Sequence, residues 1–218
     1  MSKRLIGCAL AAASLVSFLG VSTNAATVFD FEDQTATPFP DAGLLINLPM
    51  LKDGITATVT REFGKRFDVR DETVGFEFPL ILGNHVLSPF FDTAQGSFIV
   101  DFSTPMSDIS LLVGDLQPSD QDDMTLNAYA GAGGTGALLG SVTESLPLNT
   151  GTDWLFKSMS LSGLSGASSI VLQSVATPSD FPYSVFVDNI TVTPVPEPAT
   201  AALLAGVPML LAVRRRRA

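Results

Sequence analysis

Asp188 is the residue of this 218-residue chain whose setting most suggests chemistry. In Phe186-Val187-Asp188-Asn189-Ile190-Thr191-Val192, strand alternation puts it on one face with Phe186, Ile190 and Val192. A carboxylate among apolar side chains is costly unless it is hydrogen-bonded, paired or bound to a metal. Calcium suits such a position, being a hard ion that takes roughly six to eight oxygen ligands. The alternative is a carboxylate that caps a turn, or accepts backbone N–H bonds where the strand bulges. A second acidic group, Asp115, Asp120, Asp122 and Asp123, lacks the spacing of an EF-hand, so it predicts a solvated loop between strands. Gly131-Ala132-Gly133-Gly134-Thr135-Gly136 has no Lys-Ser/Thr after it and no helix to follow. It predicts a flexible hairpin tip rather than a phosphate cradle. Trp154, the sole tryptophan, either packs near a turn or offers a ring for sugar stacking.

Catalytic sets are scarce. His85 is the only histidine, no nucleophile-elbow motif accompanies it, and a site with several histidine ligands for zinc is impossible. The one cysteine, Cys8, lies near the N-terminus. Two carboxylates alone can run a glycosidase, but nothing in the sequence selects a pair. No catalytic residue is assigned, and the expectation is a non-enzymatic protein.

The elements that must position these residues read as nearly all β. Short runs rich in branched and aromatic residues recur at 27–32, 54–61, 96–102, 108–113, 124–130, 137–143, 155–161, 169–175 and 183–192. Gly, Pro, Asp and Ser separate them, and no segment between residues 26 and 193 keeps a helical period. Strands at such intervals predict an all-β fold, a β-sandwich of jelly-roll type with eight to ten strands.

Charge narrows the partners. Residues 26–193 carry six basic side chains (Lys52, Arg61, Lys65, Arg66, Arg70, Lys157) against 21 acidic ones, a net charge of −15. Nucleic acid, whose phosphates require basic partners, is excluded as a ligand for such a domain. Five of the six bases fall between Lys52 and Arg70.

Both ends read as targeting segments. Lys3 and Arg4, the apolar stretch Ile6–Val21 and the small residues of Thr23-Asn24-Ala25 form a secretory signal peptide over residues 1–25. Signal peptidase would cut between Ala25 and Ala26. Leu5-Ile6-Gly7-Cys8 matches a lipoprotein box, but too few residues precede Cys8 to cross a membrane. Loss of the signal removes Cys8 and every possible disulfide. At the other end, residues 194–218 hold Val195-Pro196-Glu197-Pro198, an apolar run Ala199–Val213, and Arg214, Arg215, Arg216 and Arg217. As a helix that run is about 22 Å long, shorter than a bilayer core of about 30 Å, and Pro208 interrupts it. Thinning of the bilayer allows such a short membrane helix to span. The arginines would hold its end cytoplasmic, leaving Glu197 on the outer face.

This three-part tail resembles the sorting signal of the PEP-CTERM family of exported bacterial proteins. The resemblance implies recognition and cleavage by an exosortase-type membrane transpeptidase. It also implies transient inner-membrane anchoring, then release to a cell surface or matrix near exopolysaccharide. The layout between the ends is similar to jelly-roll ectodomains of that family, which resemble carbohydrate-binding modules and galactose-binding-like domains. It rests on Phe29-Asp30-Phe31-Glu32, the stretch Phe102–Leu111, and Phe186–Val192. That likeness implies a structural Ca2+ held by Glu32 or Asp33 together with Asp188. Three functions follow: an exported surface or biofilm protein, a calcium-dependent carbohydrate-binding module, or a polysaccharide hydrolase. They differ in whether Trp154 and the acids converge on a groove.

Overall fold

The computed structural model describes residues 25–35, 45–71, 84–88, 97–115, 121–147, 155–177 and 185–196. Eleven strands are found among them. They are β1 (Thr27–Phe29), β2 (Asn47–Lys52), β3 (Ile55–Arg61), β4 (Asp68–Asp71), β5 (His85–Ser88), β6 (Phe98–Asp115), β7 (Gln121–Tyr129), β8 (Leu138–Leu146), β9 (Leu155–Leu161), β10 (Ala167–Thr177) and β11 (Val185–Pro194). Every pairing between them is antiparallel.

β6 organises the fold because its two halves have different neighbours. Phe98–Phe102 pairs with β3, and Phe98–Asp101, together with Met106 past the bend, pairs with β10. Met106–Asp115 pairs with β11, and Ile109–Asp115 with β9. One layer therefore runs β2-β3-β6-β10-β7-β8, and the other β4-β5-β11-β6-β9 with β1 also on β11. A strand that passes from one layer to the next at a bend is a known way of building a sandwich corner. The bend carries Ser103-Thr104-Pro105, and proline, having no N–H to give a ladder, belongs where the partners change.

The core is the inner face of both layers. β3 alternates Ile55, Ala57 and Val59 inward with half-buried Thr56, Thr58 and Thr60 outward. Met124, Leu126 and Ala128 of β7 and Ile109, Leu111 and Val113 of β6 keep the same period and join one cluster. Each fully buried large apolar side chain contributes about 1.5–3 kcal/mol of transfer free energy. Phe29 and Phe31 are both in this core, 2% and 1% exposed.

The sandwich expected from sequence is present, with eleven strands among the described residues where the sequence predicts eight to ten, and with two further corrections in its elements. The runs at 96–102 and 108–113 are one strand, because Pro105 redirects the ladder without ending it. β2, β4 and β5 were not predicted. β2 contains Pro49, which reads as a breaker and is tolerated because β2, among the described residues, is an edge strand paired only with β3. Within the chain, Ala25–Val195 forms one compact unit. No helix among the described residues is long and apolar enough to cross a membrane.

Candidate functional site

β11 is edged by two short strands laid end to end, β5 opposite Val187 and β1 opposite Ile190–Val192. At the gap between them β11 bulges. Asp188 pairs with Leu112 and Thr191 with Ser110, so Asn189 and Ile190 together face the single residue Leu111. Asn189 takes φ 52, a left-handed conformation that asparagine tolerates better than most residues.

The bulge overturns the simple alternation expected for this strand. Val187, Ile190 and Val192 face the main core. Phe186 faces the opposite side, in a small cluster with Val86, Leu112 and Phe156. Asp188, in phase with Phe186 and opposite Leu112, is on that side too. The extra residue shifts the face of everything after it.

Asp188 is 1% exposed. Its Oδ2 accepts a hydrogen bond from Asn189 Nδ2 at 2.9 Å, and its Oδ1 meets no donor among the described residues. Burial raises its pKa to about 8, a backbone hydrogen bond from Asn189 opposes this, and the charges of Glu32 and Asp30 push it further up. β1 ends opposite the bulge, Phe29 pairing with Ile190, and like-charge repulsion from the carboxylates that follow reaches Asp188 from there.

Glu32 is set there by a tight turn in which Gln34 N donates to Phe31 O at 2.9 Å. Phe31 adopts φ 58 at the start of this turn, with its ring in the core. Glu32 Oε1 accepts from the backbone N–H groups of Asn84 at 2.6 Å and His85 at 3.0 Å, tying β1 to the start of β5. His85 Nδ1 is buried and meets no partner among the described residues. Asp30 is held on the outer side by Lys52 at 3.3 Å. Thr27 Oγ1 donates to Asp53 Oδ2 at 3.1 Å, fixing the β2–β3 turn to β1. Asp33 is exposed.

Asp188 and Glu32 are thus brought together, and an orphaned buried carboxylate oxygen is the kind of donor a hard cation takes. The residues fit calcium as a partial set, with Asp188 Oδ1 and the oxygen of Glu32 not bound to Asn84 and His85. Among the described residues no three His, Cys, Asp or Glu side chains converge as a metal site. Any further oxygens would come from backbone carbonyls or water.

The other sequence candidates are placed differently. Asp122 and Asp123 are in β7 and not in a solvated loop. Asp122 is fully buried, in phase with Met124, and accepts from Ser174 Oγ at 3.0 Å. Asp123 accepts from Ser145 Oγ at 2.5 Å and Gln121 Nε2 at 3.1 Å, and these bonds lower its pKa. Asp120 lies outside the described residues. The glycine loop is pinned rather than flexible. Gly133 N donates to Asp101 Oδ1 at 2.6 Å, and Gly134 N to Ser169 Oγ at 3.0 Å, while Ser169 Oγ donates to Gly131 O at 2.6 Å. The amides of Gly133 and Gly134 are spent on the protein's own side chains, and that of Gly131 on Thr135 O. Ala25 and Ala26 are exposed, Val195 N donates to Pro105 O at 2.9 Å, and Pro196 is exposed. Trp154, Glu197, Pro198 and Arg214–Arg217 lie outside the described residues.

No family model matches the chain, and no curated protein matches it. Solved structures give distant similarities. One is a DUF4465 family protein from Bacteroides caccae, at 13% identity over 81% of this chain and 94% of that one, with a TM-score of 0.45. Another is the CBM27-1 module of Caldicellulosiruptor saccharolyticus in complex with mannohexaose, at 15% identity over 79% of this chain and 99% of that one, TM-score 0.45. A third is an arabinose-bound GH51 α-L-arabinofuranosidase, at 13% identity and a TM-score of 0.44, covering 80% of this chain. The chain spans about a quarter of that enzyme, 27% of its length. At these scores the similarities assign no family.

Proposed function

We propose that this chain is a non-enzymatic, exported cell-surface or matrix protein that associates with polysaccharide through a calcium-stabilised jelly-roll domain. Export would use the signal segment ending at Ala25. Sorting would use the PEP-CTERM-like tail, Val195-Pro196-Glu197-Pro198 through Arg217, as substrate of an exosortase-type transpeptidase. The observation that carries the ectodomain part is Asp188, a buried carboxylate with one oxygen lacking a donor, beside Glu32 at a bulge. Calcium there would supply charge compensation and lock β1, β5 and β11 together. The same burial removes Asp188 as the acid of a hydrolase. A carboxylic acid 1% exposed is withheld from a sugar chain, however well its pKa suits acid catalysis.

The test is binding of the full chain to a polysaccharide panel that includes the host's exopolysaccharide, in calcium and then in EDTA. Binding in calcium that is weakened in EDTA, and made insensitive to EDTA by Asp188→Asn, is the expected result. A folded protein that binds none of the panel would overturn the carbohydrate reading. For the tail, mass spectrometry of the protein from its native host should find Arg214–Arg217 removed; an intact tail would end the sorting proposal.

A further inference from the structure

We propose that the turn after β3, Glu62-Phe63-Gly64, is a contact point for an anionic polysaccharide, with the Phe63 ring as stacking surface and Arg66 as the carboxylate contact. It rests on the polysaccharide reading above and names the site and the ligand's charge. Phe63 is 86% exposed and adopts φ 58. Left-handed backbone at a bulky residue is a true outlier, costing about 1–2 kcal/mol. Phe31 has the same φ, but its ring is buried in the core, which offsets the cost. Phe63 has no such return from packing. Strain that the fold maintains without a structural benefit points to a role outside the fold.

The turn is also held firmly at its base. Glu62 N donates to Ser97 O at 3.0 Å, and Glu62 Oε2 accepts from Ser97 N at 3.1 Å and Ser97 Oγ at 3.0 Å. Lys65 N closes the turn on Glu62 O at 3.2 Å. Arg61 Nη1 donates to Arg66 O at 2.9 Å, and its guanidinium carbon is 5.6 Å from the centre of the Phe98 ring. Glu62 is thereby engaged by Ser97, while Phe63 is presented at the tip. A ring displayed in a fixed pose binds with less loss of conformational entropy.

Its surroundings choose the ligand. Paired backbone bonds between Leu45 and Phe67, at 3.2 and 3.0 Å, bring Ile46 alongside Arg66 in antiparallel register. Ile46 is 59% exposed, and Arg66 is exposed as well. The turn and its paired neighbour thus offer an exposed aromatic ring, an aliphatic side chain and a guanidinium close together along the chain, within the stretch Lys52–Arg70 that holds five of the domain's six bases, Arg61 and Arg70 among them being buried. The apolar face of a pyranose stacks on such a ring, and a uronate carboxylate takes two N–H bonds from arginine. An anionic bilayer is disfavoured. It would face the surrounding acidic surface as well, and one ring with few cations falls short of stable membrane attachment. A single polymer chain over the patch feels mainly charges within a Debye length of about 8 Å.

The experiment uses the full chain in mild detergent with calcium present. Its probes are hyaluronan (a soluble glucuronate polymer), neutral dextran, and phosphatidylglycerol–phosphatidylcholine vesicles. Hyaluronan should bind more tightly than dextran, and less tightly as salt is raised. Phe63→Gly should weaken hyaluronan binding about tenfold, yet raise the melting temperature because glycine relieves the strained φ. Arg66→Gln should remove the preference for hyaluronan over dextran. Wild-type hyaluronan affinity in Phe63→Gly would overturn the inference while leaving the polysaccharide reading intact, as would binding of neutral glycans alone. Vesicle binding that needs Phe63, with hyaluronan ignored, would reassign the patch to lipid. If no glycan binds, the reading of the previous section fails first.

Discussion

Asp188 makes the stability of this protein sensitive to pH in an unusual direction. Its pKa rises from 3.8 in the unfolded chain to about 8 in the fold, so between these values the folded state holds a proton that the unfolded state has released. Stability from this group is complete below pH 3.8 and is lost as pH climbs toward 8, by on the order of a few kcal/mol. In EDTA the melting temperature should therefore fall from pH 5 to pH 8, and Asp188→Asn should flatten that slope. Calcium should restore the wild type at pH 8 and do nothing for Asp188→Asn; an equal gain in both would remove Asp188 from the metal site. Part of this was legible in the sequence, since an aspartate in an apolar strand is conspicuous. The face it occupies was not. Alternation assumes an unbroken ladder, and Asn189 is the sole hint of a bulge, asparagine being common in turns as well. Glu32 is likewise visible as a residue near the first strand, but its grip on the backbone of Asn84 and His85 spans more than fifty positions and leaves no local mark.

At the scale of elements, the strands that alternate cleanly were legible, as Ile55–Arg61 demonstrates with inward Ile55, Ala57 and Val59. Those that did not alternate were lost for physical reasons. Pro49 masks an edge strand, β4 buries the polar side chains of Asp68 and Arg70, and Ser103-Thr104-Pro105 imitates a loop in mid-strand. The glycine loop between β7 and β8 was seen as a turn, but its closure over β6 and β10 depends on Asp101 and Ser169, which are distant in sequence. Two outcomes test that closure. A Cβ at Gly134 would come within 2.6 Å of Val171 Cγ2 on a backbone of φ 69, so Gly134→Ala should cost about 1–3 kcal/mol in denaturant unfolding. Asp101→Ala should speed hydrogen exchange at Gly133 while β8 stays protected; unchanged exchange would show that the carboxylate does not hold the loop.

At the scale of the whole molecule, the shared strand β6 couples the two layers, since neither can be dismantled without taking half of it. Unfolding of the described domain should be one transition, with amides of β7 and β11 exchanging at the same global free energy. Leu126→Ala, at a site with no exposure, should lower both together by about 2–5 kcal/mol. Two separate transitions would contradict the coupling. β11 has a further property of this kind. It lies between β6 on one side and β5 with β1 on the other, and Val195 just past its end is still bonded to Pro105. A pull applied through the C-terminal tail would draw this strand lengthwise, so the ladders on its two flanks would bear the load in shear, many bonds at once. An edge strand in that position would peel open bond by bond. The chain thus leaves its domain through a strand gripped from both sides, so load entering at the C-terminus would be spread over two ladders.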